Sequence, residues 1–183
     1  MMTTRPIIGL DTNSFGHHWV SNVPLLGYLY GTCAPGEVAD SPGTHVGWSK
    51  ARGAAEERYP AMFAAARNFF RQLPDGTYIF CEEPLALPRN GKTTRMLGIS
   101  AGVIYGGFVA ACDETDLTWF WVDVASWKRA VIGNGSAKKE LIRSVVRESP
   151  EWLMNMTDYD DEFEDQRDLY DAWSLMRYGV ENL

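Results

Sequence analysis

Four acidic residues in three distant segments of the chain fall in a pattern that suits metal chemistry. Asp11 follows the apolar run IIGL and Glu82 follows YIFC, so each comes at the end of a predicted buried strand. Asp168 and Asp171 are three residues apart on a predicted C-terminal helix, so they project from one face. Strand ends meet at one edge of an α/β sheet, and carboxylates gathered there repel one another unless a divalent cation neutralises them. Each acid alone also fits a turn, a helix cap or a solvated strand end, and only their joint placement indicates a site.

The chemistry that such a cluster best supports is phosphodiester hydrolysis with two Mg²⁺ or Mn²⁺ ions, about 3.5–4 Å apart. One ion activates a water and the other stabilises the leaving oxygen. Asp165 continues the three-residue spacing of Asp168 and Asp171, so it is the alternative ligand if Asp168 is not one.

A basic segment precedes the acidic C-terminal part of the chain. Residues 128–147 hold six Lys or Arg and one acid, whereas residues 148–183 hold eleven acids and two Arg. Such a segment can bind a polyanion although the formal net charge is -7, because salt screens fields beyond about 10 Å. The residues that we expect to contact phosphates, as contacts without sequence preference, are Lys128, Gly133, Asn134, Gly135, Ser136, Lys138 and Lys139.

Two glycine-containing turns fail the requirements of a nucleotide site. The GKT stretch (91–93) looks like the end of a Walker A loop, but Ala86 stands where the first glycine is needed. The turn GNGSAK (133–138) has a lysine in place of the third glycine of the dinucleotide fingerprint. We therefore predict no nucleotide cofactor, and we expect Arg89 and Lys92 to contact a nucleic-acid backbone instead.

The elements that must position these residues begin with strands and then alternate between strands and helices. Predicted strands cover 6–13, 17–23, 25–31, 76–84 and 117–126, and predicted helices cover 49–74, 91–112, about 136–149 and 164–181, with a loop at 32–47. Pro60 is expected to kink or break the first helix, and Ser136 is expected to cap the third. The early strands indicate an antiparallel meander and the later alternation indicates parallel pairing. We predict an α/β fold with a mixed five-stranded sheet flanked by helices, in a single domain spanning 1–183.

Composition indicates a globular protein. The chain has 183 residues, of which 45% are hydrophobic and 13% aromatic, enough for a core without disulfides. Cys33, Cys81 and Cys112 lack the spacing of a disulfide framework or a zinc site, so a reducing compartment is expected. We find no signal peptide pattern, and the longest apolar stretch, about 96–112, is shorter than a membrane span. We expect a soluble cytoplasmic protein without a membrane partner.

Several of these segments together resemble the RuvC family of Holliday-junction resolvases, which has a ribonuclease H-like fold. The stretch VASWKRAVIGNGSAKKELIRSVV (124–146) is similar to the family pattern of a Lys, an apolar run, Gly-x-Gly-x-Ala and a second Lys eleven residues after the first. DLYDAWSLM (168–176) resembles the family's Asp-x-x-Asp-Ala helix, and IIGLDTN and YIFCEEP resemble its two strands that end in acids. MLGISAGVIYGGFVAA (96–111) is similar to the Gly- and Ala-rich helix that packs near the family's dimer interface.

The resemblance implies a homodimeric crossover junction endonuclease of DNA recombination and repair that cuts two opposed strands of branched DNA, a four-way junction. Asp11, Glu82, Asp168 and Asp171 would be its catalytic metal ligands. The chain departs from the family at Thr12, where Pro-Gly or similar is usual, and at Leu85, where an aromatic wedge is common. These departures and the net acidity indicate a divergent member, for which a phage origin is one expectation. Two alternatives remain open: a ribonuclease H-like nuclease for forks, flaps or RNA–DNA hybrids, and an inactive junction-binding protein.

Overall fold

The computed structural model describes residues 5–12, 17–25, 28–33, 55–84, 91–150 and 167–183. The strands in these ranges are β1 (Ile7–Thr12), β2 (His17–Leu25), β3 (Tyr28–Cys33), β4 (Thr77–Glu82) and β5 (Leu117–Val122). The helices are α1 (Ala55–Phe70), α2 (Gly91–Ala111), α3 (Val124–Trp127), α4 (Lys139–Glu148) and α5 (Arg167–Asn182). A π-helical segment, Lys128–Ile132, follows α3 directly.

The five strands form one mixed sheet in the order β3-β2-β1-β4-β5. β2 pairs antiparallel with both β1 and β3, whereas β4 pairs parallel with both β1 and β5. The predicted mixed five-stranded sheet is therefore confirmed. Because β1 and β4 are adjacent and parallel, their carboxyl ends, with Asp11 and Glu82, lie at the same edge.

Side chains alternate along the central strands between two hydrophobic cores, as a pleated sheet requires. Ile8 and Leu10 of β1 lie in the core that α1 and α2 cover, and Cys81 of β4 lies with them. Ile7 and Phe80 lie in the opposite core, which α4 and α5 cover. Helix α5 is buried on nearly every side, since it lies between the sheet and α4.

Helix α5 packs directly on β1 at Gly9. A Cβ at this position would lie 1.8 Å from the Ala172 carbonyl oxygen and 2.2 Å from the Met176 nitrogen. Only glycine leaves room for the helix backbone here. The contact matters for the site, because Asp171 precedes Ala172 in α5 and Asp11 follows Gly9 by two residues, on the same face of β1.

Two predicted boundaries between 117 and 139 are wrong. Strand β5 ends at Val122, short of the predicted 126, because the Asp123 side chain accepts hydrogen bonds from the Ser126 backbone N–H (2.9 Å) and hydroxyl (3.1 Å) and caps α3. Ser136 does not cap the following helix, which begins at Lys139 with Lys138 at its N-cap. The Ser136 N–H and hydroxyl instead donate to Asn134 Oδ1, at 3.0 and 2.9 Å, and close a turn.

The predicted first helix and loop are described only in part. α1 runs through Pro60 as one helix, so the prediction of a break there is wrong. Its predicted start at 49–54 lies outside the described residues, as does 34–47 of the predicted loop. β3 extends to Cys33 and takes the first two residues assigned to that loop. β2 extends two residues beyond its predicted end, to Leu25.

Helix α2 has one buried and one exposed apolar side. Its stretch Thr94–Ala111 is long and apolar enough to cross a membrane. Length and composition are the only criteria met, and core helices of soluble proteins also meet them. Ala101, Ile104 and Phe108 are buried in the core shared with α1 and the sheet. The outer side exposes Tyr105 and Val109, so it has room for a partner.

Candidate active site

Asp11 and Glu82 lie on the same face of the sheet as well as at the same edge. Leu10 pairs with Cys81 in the parallel ladder, and both lie in the core under α1 and α2. The next residue of each strand points to the other face, so both carboxylates lie on the side that α4 and α5 cover. The structure thus brings together the two strand acids that the sequence predicts as ligands.

Glu82 is partly buried and hydrogen-bonded. The Trp127 indole Nε1 donates a hydrogen bond of 3.2 Å to Glu82 Oε2. Burial raises the pKa of the Glu82 carboxyl above its ordinary value, while the Trp127 hydrogen bond and the positive charges of Lys128 and Lys139 offset part of this rise. The negative charge of Asp123 adds to it. Glu82 is therefore a desolvated carboxylate with two lysines near enough to act on its charge.

Asp171 lies beside the basic segment. Its Oδ2 is 3.9 Å from Lys139 Nζ, and its side chain is 14% exposed, against 56% for the lysine. Ile142 and Val146 of α4, one turn apart, pack into the core with α5 and so hold Lys139 near Asp171. A shallow cavity of about 70 Å³ opens there, and its lining is Lys139, Glu140, Ile142, Arg143, Tyr170 and Asp171.

The two lysines flank a tight turn. Lys128 begins the π-helical segment, and its Nζ lies 5.3 Å from the centre of the Trp127 ring. Gly133 ends the segment with φ of 81°, a left-handed conformation that favours glycine. A Cβ at Gly135 would lie 3.0 Å from the Ala125 carbonyl oxygen, so the turn packs against α3. The turn therefore connects the two lysines whose positive charges act on Glu82.

Other predicted residues are described less fully or not at all. Asp168 lies in the first turn of α5 and Lys92 in the first turn of α2, but their side chains are not among those described. Asp165, Leu85 and Arg89 lie outside the described residues. Among the side chains that the structure describes, no three His, Cys, Asp or Glu residues come together as a metal site. The four-carboxylate metal site therefore stays a prediction.

Sequence reasoning missed two residues of this region. His18, which is 2% exposed, lies opposite Asp11 in the register of β1 and β2, and cross-strand pairs share a face. Trp127 is fully buried and contacts Glu82 although 45 residues separate the two. The signals were a His-His pair in the second strand and a Trp directly before Lys128. Neither signal is interpretable until the register of β1, β2 and β4 is known.

The raised pKa of Glu82 predicts a pH-dependent gain in stability for Glu82→Gln in metal-free buffer. The folded protein binds this proton more tightly than the unfolded chain, so ionised Glu82 costs stability above its folded pKa. We expect Glu82→Gln to melt above the wild type at pH 7. The difference should shrink as the pH falls, and vanish below the unfolded carboxyl pKa of about 4.3.

Thermal unfolding followed by circular dichroism between pH 4 and pH 8 measures this difference. Glu83→Gln is the matched control, because Glu83 is the next residue and is exposed, so its curves should follow the wild type. A Glu82→Gln protein that is less stable than the wild type at every pH would contradict the assigned environment of Glu82.

The sheet order, the crossing helices and the acids at one edge define an α/β protein of the ribonuclease H-like fold. The chain is similar in structure to RuvC of Thermus thermophilus, with a TM-score of 0.56 and 18% identity over 93% of this chain and 90% of that one. It is also similar to T. thermophilus RuvC in complex with a Holliday junction substrate, with a TM-score of 0.55 and 15% identity over 94% and 91% of the two chains. No protein-family model and no curated protein matches the sequence. At this identity the likeness establishes the fold.

Proposed function

We propose that the protein is a metal-dependent endonuclease that resolves four-way DNA junctions by phosphodiester hydrolysis, a crossover junction endodeoxyribonuclease. The observation that carries the proposal is the meeting of Asp11 and Glu82, on one face and edge of the sheet, with Lys128 and Lys139. Acids for a cation and lysines for phosphates are the two components that hydrolysis of a nucleic-acid backbone needs. The fold shared with RuvC, one structure of which contains a Holliday junction, supports the choice of substrate.

The acids fit a pair of hard divalent cations. Asp11, Glu82, Asp168 and Asp171 are the residues that would hold Mg²⁺ or Mn²⁺, which prefer carboxylate oxygens. The Trp127 indole engages one oxygen of Glu82, which leaves the other for a cation. Asp171, 3.9 Å from Lys139 Nζ, adds a second carboxylate beside the basic segment. The two ions would supply Lewis-acid stabilisation of the phosphate charge and a water of lowered pKa. The acids would hold the ions and the lysines would hold the backbone on either side of the scissile phosphate. Hydrolysis would add water to the phosphorus and break its bond to O3′, leaving a 5′-phosphate and a 3′-hydroxyl.

The lysines and the turn between them would bind the flanking phosphates. Lys128, Lys138 and Lys139 supply positive charge without reading bases. The N–H groups of Gly133 and Ser136 donate to Arg129 and Asn134 within the protein. Phosphate contacts from the backbone of this turn are therefore assigned to the N–H groups of Asn134 and Gly135.

A double substitution tests the lysines as phosphate contacts. We expect Lys128→Ala with Lys139→Ala to weaken junction binding and to reduce the slope of log affinity against log salt by about 2, since each phosphate contact contributes about 0.9. Fluorescence anisotropy in EDTA measures binding without cleavage. Arg67→Ala with Arg71→Ala, which removes two charges paired with Glu114, should leave the slope unchanged. An unchanged slope for the lysine pair would remove these residues from the interface.

The range of substrates separates the proposed function from its rivals. Four-way junctions, forks, flaps, RNA–DNA hybrids and plain duplex of matched sequence should be compared with Mg²⁺ and with Mn²⁺. We expect the four-way junction to be cut fastest at equal protein concentration. Faster cutting of forks, flaps or hybrids would assign the site to another branched or hybrid substrate. Tight junction binding without cutting would indicate a non-enzymatic junction-binding protein.

We propose that two copies pair through the outer side of α2, which would place two active sites on one junction. Gly98, Gly102, Tyr105 and Val109 follow at intervals of four, three and four residues, so they form one stripe along the helix. A Cβ at Gly98 or Gly102 would meet no atom within 4 Å apart from its chain neighbours and the backbone of its own helix, which leaves space for a close partner. Trp121 of the edge strand β5 extends the stripe, with its ring 5.5 Å from that of Tyr105.

A charged residue in this stripe should separate the copies. We expect the wild type to be a dimer at micromolar concentration and Val109→Glu to be a monomer, because a buried unpaired charge is costly. Light scattering coupled to size exclusion measures the mass. Val180→Glu is the matched control, since Val180 is 40% exposed against 51% for Val109 but lies on α5. A monomeric wild type, or a dimeric Val109→Glu variant, would exclude this interface.

A further inference from the structure

We propose that Trp127 is a positioning residue of the candidate active site, whose indole N–H fixes one oxygen of Glu82 so that the other is presented to a divalent cation. The inference rests on the proposed function, because it assigns Glu82 to cation binding. Trp127 is fully buried, so it would act on the cation through Glu82 rather than by touching DNA.

The first observation is the geometry of the contact. Trp127 is 0% exposed, and its Nε1 lies 3.2 Å from Glu82 Oε2. An indole N–H can only donate, and an ionised carboxylate can only accept, so the direction of the hydrogen bond is unambiguous. The ring is packed in the core with α4 and α5 and cannot rotate freely. It therefore restricts the Glu82 carboxylate to one orientation and leaves Oε1 for another ligand.

The second observation is that burial of an indole does not by itself produce such a contact. Trp119, in the neighbouring strand, has a buried Nε1 with no hydrogen-bond partner among the described residues. Trp119 packs against rings such as Phe70 and Phe108 in the other core. Of these two tryptophans with a buried ring nitrogen, the one beside the candidate site donates to a carboxylate and the other has no partner among the described residues.

The third observation is the position of Trp127 in the chain. It is the last residue of α3 and is followed by the π-helical segment, a type of irregularity frequent at functional sites. Lys128, the first residue of that segment, places its Nζ 5.3 Å from the centre of the same ring. One rigid side chain therefore contacts both an acid proposed to hold the cation and a lysine proposed to hold the phosphate.

The direct test is the affinity of the DNA-free protein for Mn²⁺, measured by calorimetry for Trp127→Phe. Phenylalanine keeps an aromatic ring in the core and removes the N–H. We expect affinity about 10–100-fold lower than for the wild type, the loss typical of residues that orient a metal ligand. Cleavage should then recover at high Mn²⁺, so that the half-saturating metal concentration rises more than kcat falls. Trp119→Phe is the matched control. It loses an N–H that has no partner among the described residues, so its affinity for Mn²⁺ should equal that of the wild type.

The result separates this inference from the function on which it rests. A wild type that binds no Mn²⁺ would overturn the proposed function itself. A wild type that binds Mn²⁺ and a Trp127→Phe variant that binds it within about twofold would overturn the inference alone. A loss of stability without loss of affinity would assign Trp127 a purely structural role, and so would also overturn it.

A second measurement covers the case in which Trp127→Phe does not fold. The indole N–H resonances of the seven tryptophans can be followed by ¹⁵N NMR in Glu82→Ala and Glu82→Gln. We expect Glu82→Ala to shift one buried indole resonance upfield, because its acceptor is lost. Glu82→Gln should keep that resonance near its wild-type position, because the amide oxygen still accepts. Indole resonances that respond equally to both variants, or to neither, would overturn the inference.

Discussion

Asp11→Asn should abolish metal-dependent cleavage of a four-way junction and leave the affinity for that junction intact. We expect the rate to fall at least about 100-fold, beyond the loss typical of residues that only orient a metal ligand. Asparagine keeps the shape of the side chain but offers a neutral oxygen, so the charge that would attract a cation is lost. Binding should persist because the proposed phosphate contacts come from Lys128 and Lys139.

The position of Asp11 makes this effect a sensitive test. β1 is the central strand of the sheet, and its carboxyl end lies beside that of β4. Asp171→Asn should have the same effect as Asp11→Asn. The helix that carries Asp171, α5, packs at Gly9 on the strand that carries Asp11. Asp113→Asn is the matched control, since Asp113 is exposed in the turn after α2 and should retain full activity. Full metal-dependent cutting by both site variants would refute the proposed active site.

Gly9→Ala should be the most destabilising single methyl addition in the described part of the chain. The added Cβ would lie 1.8 Å from the Ala172 carbonyl oxygen and 2.2 Å from the Met176 nitrogen, and both are backbone atoms. No rotamer change can relieve such a clash, so α5 must move away from β1. We expect the free energy of unfolding to fall by about 3 kcal/mol or more, at or above the upper end for overpacked cores. Activity should fall with it, because Asp171 moves with α5.

Urea unfolding measures this loss, and Gly106→Ala provides the matched control. A Cβ at Gly106 would lie 3.6 Å from the Phe63 ring, an ordinary contact, in the middle of a helix. Alanine is favoured over glycine there by about 1 kcal/mol, so this variant should be as stable as the wild type or more so. A Gly9→Ala protein of wild-type stability would contradict the close packing of α5 on β1.

The sheet could be predicted from the sequence because its strands carry local signals. The apolar runs before Asp11 and Glu82 predict two buried strands. The two short strands that follow the first of them, with tight connections, predict an antiparallel meander. The helices that cross between strands predict the parallel pairs. Pro60 predicts a kink or break in the first helix, and the break is absent, since α1 runs through it as one helix.

Local patterns predicted the chain between β5 and α4 less well. Ser136 looks like a helix cap, but the Asn134 side chain takes its hydrogen-bond donors. Asp123 is the residue that ends β5, since it caps α3. Which of several polar residues caps a helix depends on small differences in local hydrogen-bond energy, and a single sequence does not reveal these differences.

The candidate site could be predicted only as far as its acids and lysines. Asp11 and Glu82 are identifiable because they end strands, and their shared face follows from the register. The contact of Trp127 with Glu82 joins residues far apart in the chain and depends on tertiary packing. The same holds for His18, which is opposite Asp11 only because of the pairing of β1 and β2.

The most direct test of the proposed function is to map the cuts in one synthetic four-way junction, labelled on each strand in turn. With Mg²⁺ or Mn²⁺ we expect paired nicks in two opposed strands, with 5′-phosphate ends that a ligase seals without repair. No cut should appear in EDTA. A junction that the protein binds but leaves uncut at every metal concentration would contradict the assignment of Asp11, Glu82 and Asp171 to a nuclease site.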